Sequence, residues 1–543
     1  MGSIALVGAV LAGALTAAAP ASARPAIWPV APAPVGPAGP AHRPGQARQA
    51  EQPGQGRQAE QPGQAGPAAP AGPAGRPRTT ARSLDPRAAG RLGALPAAGR
   101  PGGLAGAPDR TGRQGTLDRA FAQQGVVVTP LPGRSAAAGD VALLTDGSII
   151  AAGGPPSFDS ADFLLARYTR DGELDGDFGD HGLVVTPWAA PSGGGGAAGV
   201  AVGAKNRIVA VGTAGLGHTD DIGFAIARYR SDGSLDASFG SGGRLVTQVG
   251  PAGDASATGV LFQPDGKIVV VGGAQDAAGN ADFAAVRYLS DGRLDPAFGT
   301  AGTALVVIPG GDALAAAVAI QPDGKIVIGG TAVNENGQNL CVVRLTAGGA
   351  PDPGFGTGGV VLEQNVPGQT KGGVGSVAIG PGGRIVAGGL GQADPDNGPG
   401  SFGLMRLLSD GQLDPTFGGG TGKVLTDFDA ESIAERVLVR KDGTIVAVGV
   451  DGQTTSKFAL AGYLPNGDLD PSFGDGGRTT TAFGTNSGAF GAVLQPSGKI
   501  IAVGGTGSAA TASLAVARYL GQPSGKPGRI SQPSSEPSQA GQP

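Results

Sequence analysis

The chain predicts an all-β fold, a seven-bladed β-propeller of four-stranded blades flanked by disordered tails. Three observations carry this. A Leu-Asp-x-x-Phe unit recurs with its aromatic residue at Phe121, Phe178, Phe239, Phe298, Phe355, Phe417 and Phe473, at spacings of 57, 61, 59, 57, 62 and 56 residues. Such a period marks a repeat fold in which no unit buries its apolar face alone. Each period also holds short runs rich in Val, Ile, Ala and aromatic residues, separated by turn signals, which read as strands. Finally, the repeat opens and closes out of phase, so its two end fragments add up to one whole unit.

Taken from the N-terminus, residues 1–23 read as an export signal. Ile4 to Ala19 is an unbroken run of apolar and small residues, followed by the small-x-small pattern Ala21-Ser22-Ala23, although Met1-Gly2-Ser3 lacks a basic residue. A retained N-terminal anchor is the alternative, and no other stretch is long and apolar enough to span a bilayer. Residues 24–110 and 521–543 hold 22 of the 44 prolines. With so little apolar surface they are expected to stay disordered, the first as a spacer. Residues 111–520 form the propeller domain.

One unit shows how a blade is written. From Asp254 the strands are Ala255 to Phe262, Lys267 to Gly272, Phe283 to Tyr288 and Thr303 to Val307. Gln263-Pro264-Asp265-Gly266 turns the first strand into the second, with Pro setting one dihedral and Gly accepting a positive one. Asp291 to Gly299 links the third to the fourth. Four antiparallel strands in tandem make a propeller blade, and radial repetition hides the sheet edges. The repeat begins with a link and fourth strand, Gly125 to Thr129, and ends on a third strand, Ala515 to Tyr519. Gly125 to Thr129 is therefore expected to be the outer strand of blade 7, closing the ring without a covalent bond.

The run Arg-Tyr-x-x-Asp-Gly-x-Leu-Asp-x-x-Phe-Gly, then Gln-Pro-Asp-Gly-Lys-Ile, is nearly complete at Arg287 to Gly299 and Gln321 to Ile326. It resembles the delta-60 repeat of secreted bacterial proteins, over residues 117–520. The resemblance implies a propeller and a secreted or cell-surface life, and implies no reaction. Copies depart from the pattern at Val202 to Arg207, at Gly349 to Asp352, and at Gly462 where Arg is expected.

The recurring polar residues read first as scaffold. Asp118, Asp175, Asp236, Asp295, Asp352, Asp414 and Asp470 share one repeat position, and Arg167, Arg228, Arg287, Arg344, Arg406 and Arg518 share another. Each Asp is expected to satisfy backbone donors of its own link or to meet an Arg. The alternative is calcium, for which Asp232 with Asp236, or Asp291 with Asp295, could offer hard oxygen ligands. No other cofactor is expected. Lys267, Lys325 and Lys499 read as solvated residues after a turn. The Gly-Gly pairs ending strand two allow close strand approach or a bulge, and lack the context of a phosphate loop. Cys341, the one cysteine, rules out an intramolecular disulfide and reads as a buried, inert thiol.

A net charge of −4 and a pI near 5.5 argue against nucleic acid or an anionic membrane as partner. Propeller topology puts the repeated motifs on one face and the two-to-three loops and four-to-one connections on the other. Recognition is therefore expected on that variable face. Its loops are 155–162, 213–223, 274–282, 331–339, 390–401 and 450–457, with connections 188–195 and 365–373. Trp188 could stack on a sugar ring or a peptide, or could anchor a loop. His218, Asp220 and Asp221 form the densest polar cluster there, a weak metal signal. The expectation is a secreted, non-enzymatic, monomeric binding or scaffold module for an extracellular ligand: polysaccharide, cell wall or protein. The alternatives are a glycan-active hydrolase with carboxylates at the channel mouth and a calcium-stabilised adhesin. Glu363, Asp427, Asp429, Glu431 and Glu435 are the carboxylates outside the repeat that a hydrolase could use.

Overall fold

The computed structural model describes residues 112–521, apart from 132–133, 156–161, 189–195, 217–220, 252, 309–310, 335–336, 364–372, 393–398, 453–454, 485 and 509. The segments read as signal and linker, and all but Gly521 of the C-terminal tail, lie outside the described residues.

The apolar runs form strands, and the strands form seven antiparallel four-stranded sheets. Blades 1 to 6 each take four consecutive strands. Blade 7 takes Ser487–Leu494, Ile500–Thr506 and Ser513–Tyr519, with Val126–Thr129 as its outer strand. There Val126 lies opposite Ala517 and Thr129 opposite Leu514. The phase of the repeat thus foretold the closure, one residue later than its Gly125 boundary. First strands of successive blades contact one another all the way round, blade 7 against blade 1 included. These strands surround the axis.

Second and third strands are buried on both faces, as Ile149–Gly154 and Phe163–Tyr168 show, and so read as continuous apolar runs. The core lies between blades. Val209, Val211, Phe224 and Ile226 of blade 2, for example, pack on Ala255, Ile268, Val270 and Val286 of blade 3. A single blade would leave both such faces in water, which is why the ring is the stable unit. Cys341 is part of this core, and burial pushes its thiol well above the ordinary range.

The Gly-Gly signal has a steric cause. In every blade the first strand slips register near its middle, for instance between Ala138 and Asp140 or between Ala257 and Gly259. Opposite this bulge stand Gly153, Gly272, Gly330, Gly389 and Gly504. A Cβ on any of them would collide with a carbonyl oxygen of the first strand.

Candidate functional site

The repeated residues assemble on the face that carries the turns. All seven Phe rings of the Leu-Asp-x-x-Phe unit are fully buried. In six blades an Arg guanidinium lies over the ring, 4.5 to 5.0 Å from its centroid. Each repeated Asp uses one carboxylate oxygen to accept the N–H two residues on, as Asp295 does from Ala297 and Asp470 from Ser472. In the six blades that carry it, the strand-three Arg pairs with the other oxygen: Arg287 to Asp295 at 2.8 Å and Arg344 to Asp352 at 2.7 Å. The same Arg then donates from Nη1 to a carbonyl of the next blade, Arg167 to Ser231 and Arg518 to Arg170. One side chain thereby fixes its own link and the neighbouring one.

The cation after the first turn is not simply solvated. Lys267 meets Asp295 at 3.2 Å, Lys325 meets Asp352 at 3.1 Å and Lys499 meets Asp118 at 2.7 Å, with Arg207 and Arg384 doing the same for Asp236 and Asp414. The sequence hides this because turn and link are far apart in the chain. Burial alone would raise Asp414, yet hydrogen bonds from Thr416 and the pairs with Arg384 and Arg406 hold it down to about 2.

Blade 6 breaks the pattern and the N-terminal segment repairs it. Gly462 stands in place of Arg, and Phe473 occupies the space a Cβ would need there. Arg113 reaches in instead and donates to the carbonyls of Pro471 and Ser472. The link of blade 7 is itself split: Gly115 donates to Leu520, and Leu520 donates to Thr116, so the two chain ends build one turn.

A second inter-blade contact went unread in the sequence. Tyr168, Tyr229, Tyr288, Tyr463 and Tyr519 each hydrogen-bond the Thr that ends the outer strand of the preceding blade: Thr129, Thr186, Thr247, Thr426 and Thr481, at 2.6 to 2.9 Å. Where Leu345 and Leu407 replace Tyr, Val306 and Glu363 replace Thr.

On the variable face Trp188 is half-buried. Its ring tilts on Phe163 with centroids 5.1 Å apart, and Arg244 lies over it at 5.7 Å. The indole N–H is buried and makes no hydrogen bond among the described residues. Asp221 follows the outer end of a blade 2 loop, where its carbonyl accepts from Leu216. His218 and Asp220 lie outside the described residues. Asp282 and Asp451, which the sequence did not single out, are buried on this face and accept backbone N–H groups from Ile308 and Ala430. Burial raises both carboxyls above the ordinary range.

The five candidate carboxylates do not converge. Glu363 ends the outer strand Val360–Glu363 and pairs with Lys423 of the next outer strand at 2.9 Å. Asp427 follows the outer strand Lys423–Thr426 and accepts from Ser401. Asp429 and Glu431 belong to the connection into blade 6. Glu435 alone of the five lies on a first strand, Ser432–Val439, at the bulge. Burial pushes its carboxyl up to about 7, against the opposing charge of Arg436. Arg436 links first strands of three blades: its Nη2 meets Asp140 of blade 1, past blade 7, at 3.0 Å, and its Nη1 donates to the Gly375 carbonyl of blade 5 at 3.4 Å. Asp140 also accepts the Val200 N–H of blade 2. Aligning the seven first strands would have exposed these residues, since the other blades carry Gly, Ala or Ser where Asp140 and Arg436 stand.

Ring, seam and clamps define a closed seven-bladed β-propeller built from one recurring unit. Six stretches, 144–178, 206–239, 263–298, 321–355, 381–417 and 440–473, match the family described as Domain of unknown function (DUF5122) beta-propeller. Each match runs within one blade to the buried Phe; blade 7, split between the chain ends, is outside them. No curated protein matches the sequence. Among solved structures the chain is similar to a catalytically inactive virginiamycin B lyase from Staphylococcus aureus with quinupristin (10% identity, 72% of this chain and 98% of that one, TM-score 0.40). It is also similar to an α-L-arabinanase from Penicillium chrysogenum complexed with arabinobiose (12%, 72% and 96%, 0.38) and to a polysaccharide lyase of the ulvanlyase type (12%, 75% and 96%, 0.40). No helix among the described residues is long and apolar enough to cross a membrane.

Proposed function

We propose that the chain is a secreted or cell-surface binding module, without catalytic activity, that recognises an extracellular ligand through the loops of its variable face. The observation that supports this is the state of the axis. A glycan hydrolase needs two carboxyl groups facing one bond across a few ångströms of open space. Here Asp140 is already paired with Arg436 and Glu435 is buried, while Glu363 ends an outer strand and Asp427, Asp429 and Glu431 lie in the connection that follows another. The repeated face is spent on holding the ring, so side chains that differ from blade to blade are left to the opposite face. Trp188 is our choice of anchor there, with Asp221, His218 and Asp220 in the neighbouring blade 2 loop.

The test is a pull-down on immobilised polysaccharides and peptidoglycan, read for protein retained and for sugar released. Retention without release, weakened by Trp188→Ala, supports a binding module. Release of sugar would overturn the reading in favour of a hydrolase or lyase.

A further inference from the structure

The turn face carries one junction unlike the rest. The residue just after each first strand is Leu144, Gly203, Gln263, Gln321, Gly380, Arg440 or Gln495. In blades 1 and 4 its side chain reaches into the seam with the next blade. Leu144 is buried in the core between blades 1 and 2, and Gln321 reaches the Gly383 carbonyl of blade 5 at 3.4 Å. Gly203 has no side chain, but the Phe262 ring of blade 3 covers it, 2.8 Å from where a Cβ would sit. Gly380 has neither device, because blade 6 offers Val439 in place of Phe262. A groove of about 420 Å³ stays open between blades 5 and 6, over Val386, Val439 and Ile445.

The same blade has lost the acid of its turn. Lys267 and Lys325 each face a carboxylate of their own turn, Asp265 at 3.3 Å and Asp323 at 3.7 Å. Gly382 stands at that position in blade 5. Arg384 lines the groove, is held by Asp414 through Nε at 2.7 Å, and has no partner for either Nη among the described residues. Its side chain is 42% exposed. Lys441, exposed on the facing turn, adds a second cation. Asp442 spends Oδ1 on the N–H and hydroxyl of Thr444 and keeps Oδ2 as an acceptor.

We propose that this groove binds a small hydroxylated carboxylate, such as a sugar acid. Arg384, oriented in advance by Asp414, takes the carboxylate with its two Nη groups, the geometry in which arginine binds a planar anion best. Lys441 adds charge, Asp442 accepts a hydroxyl, and the valines floor the body of the ligand. The volume lies within the range of small-molecule sites. This site is on the face opposite the loops of the proposed function and stands or falls separately.

The test is calorimetric titration of the whole protein with galacturonate and, as its uncharged counterpart, galactose. Saturable binding of galacturonate, absent for galactose and weakened by added salt, is the expected result. Gly380→Gln restores the residue of blades 3, 4 and 7 at a backbone of ordinary conformation (φ −98, ψ 179), so the ring should melt as before. It should weaken binding at least about tenfold by filling the groove, and Arg384→Gln should do the same by removing the fork. No saturable binding of galacturonate, equal binding of galactose, or full binding by a folded Gly380→Gln protein would each overturn the proposal.

Discussion

Arg436 and Asp140 meet at 3.0 Å although they belong to blades 6 and 1, with blade 7 between them. Gly491, the equivalent residue of blade 7, makes room: a Cβ there would lie 2.8 Å from the Asp140 Cα. The pair thus spans the blade that is assembled from both chain ends, a latch across the seam.

Breaking the latch should therefore weaken the ring. Each side chain of the pair is only 18% exposed, so Arg436→Met strands a poorly solvated carboxylate and should cost about 1–3 kcal/mol. Arg436→Met with Asp140→Asn should cost less than the sum of the single changes. Urea unfolding of the four proteins gives the coupling; a value of zero would mean the pair holds nothing together.

The Tyr–Thr bonds make a second, independent prediction. Tyr519 is fully buried and bonds Thr481 at 2.9 Å. Tyr519→Phe removes the hydroxyl and leaves Thr481 without its partner, at a cost of about 1 kcal/mol. Adding Thr481→Val should recover part of that loss, since an apolar pair needs no partner, as Leu345 and Val306 already illustrate. A double variant less stable than Tyr519→Phe alone would contradict this account.

Much of the ring was legible because its causes are local or periodic. The Phe spacing reports the blade length, and the broken phase reports the closing strand. The Lys267–Asp295, Tyr519–Thr481 and Arg436–Asp140 contacts were not legible, because each joins residues from separate parts of a blade or from different blades. Only the curvature of the ring brings them together. For Trp188 the sequence could place the residue on a face but could not show that Phe163 and Arg244 share its ring.

Calcium addresses the same carboxylates by another route. In Asp236, Asp295, Asp352 and Asp414 both oxygens already accept from a backbone N–H, an Arg and a turn cation. A calcium ion would have to displace two positive groups per site, which its oxygen-ligand chemistry does not favour. Melting in about 5 mM calcium and in chelator should therefore coincide to within about 1 °C. A rise of several degrees with calcium would show that other oxygens form a site.

Glu435 gives the last prediction its sign. Its carboxyl is raised from 4.5 to about 7 by burial, so the folded state holds a proton that the unfolded chain releases. Its stabilising contribution is complete below pH 4.5, falls as pH rises toward 7 and stays lost above that. Asp414, held down to about 2 from 3.8, acts the other way, contributing above pH 3.8 and failing as pH falls toward 2. Glu435→Gln removes the proton dependence at one site while keeping the shape of the side chain. The variant should match the native protein at pH 4 and exceed it at pH 8 by about 3 kcal/mol in urea unfolding. A difference that does not change with pH would mean that the carboxyl is solvated in the folded state and that burial does not raise it.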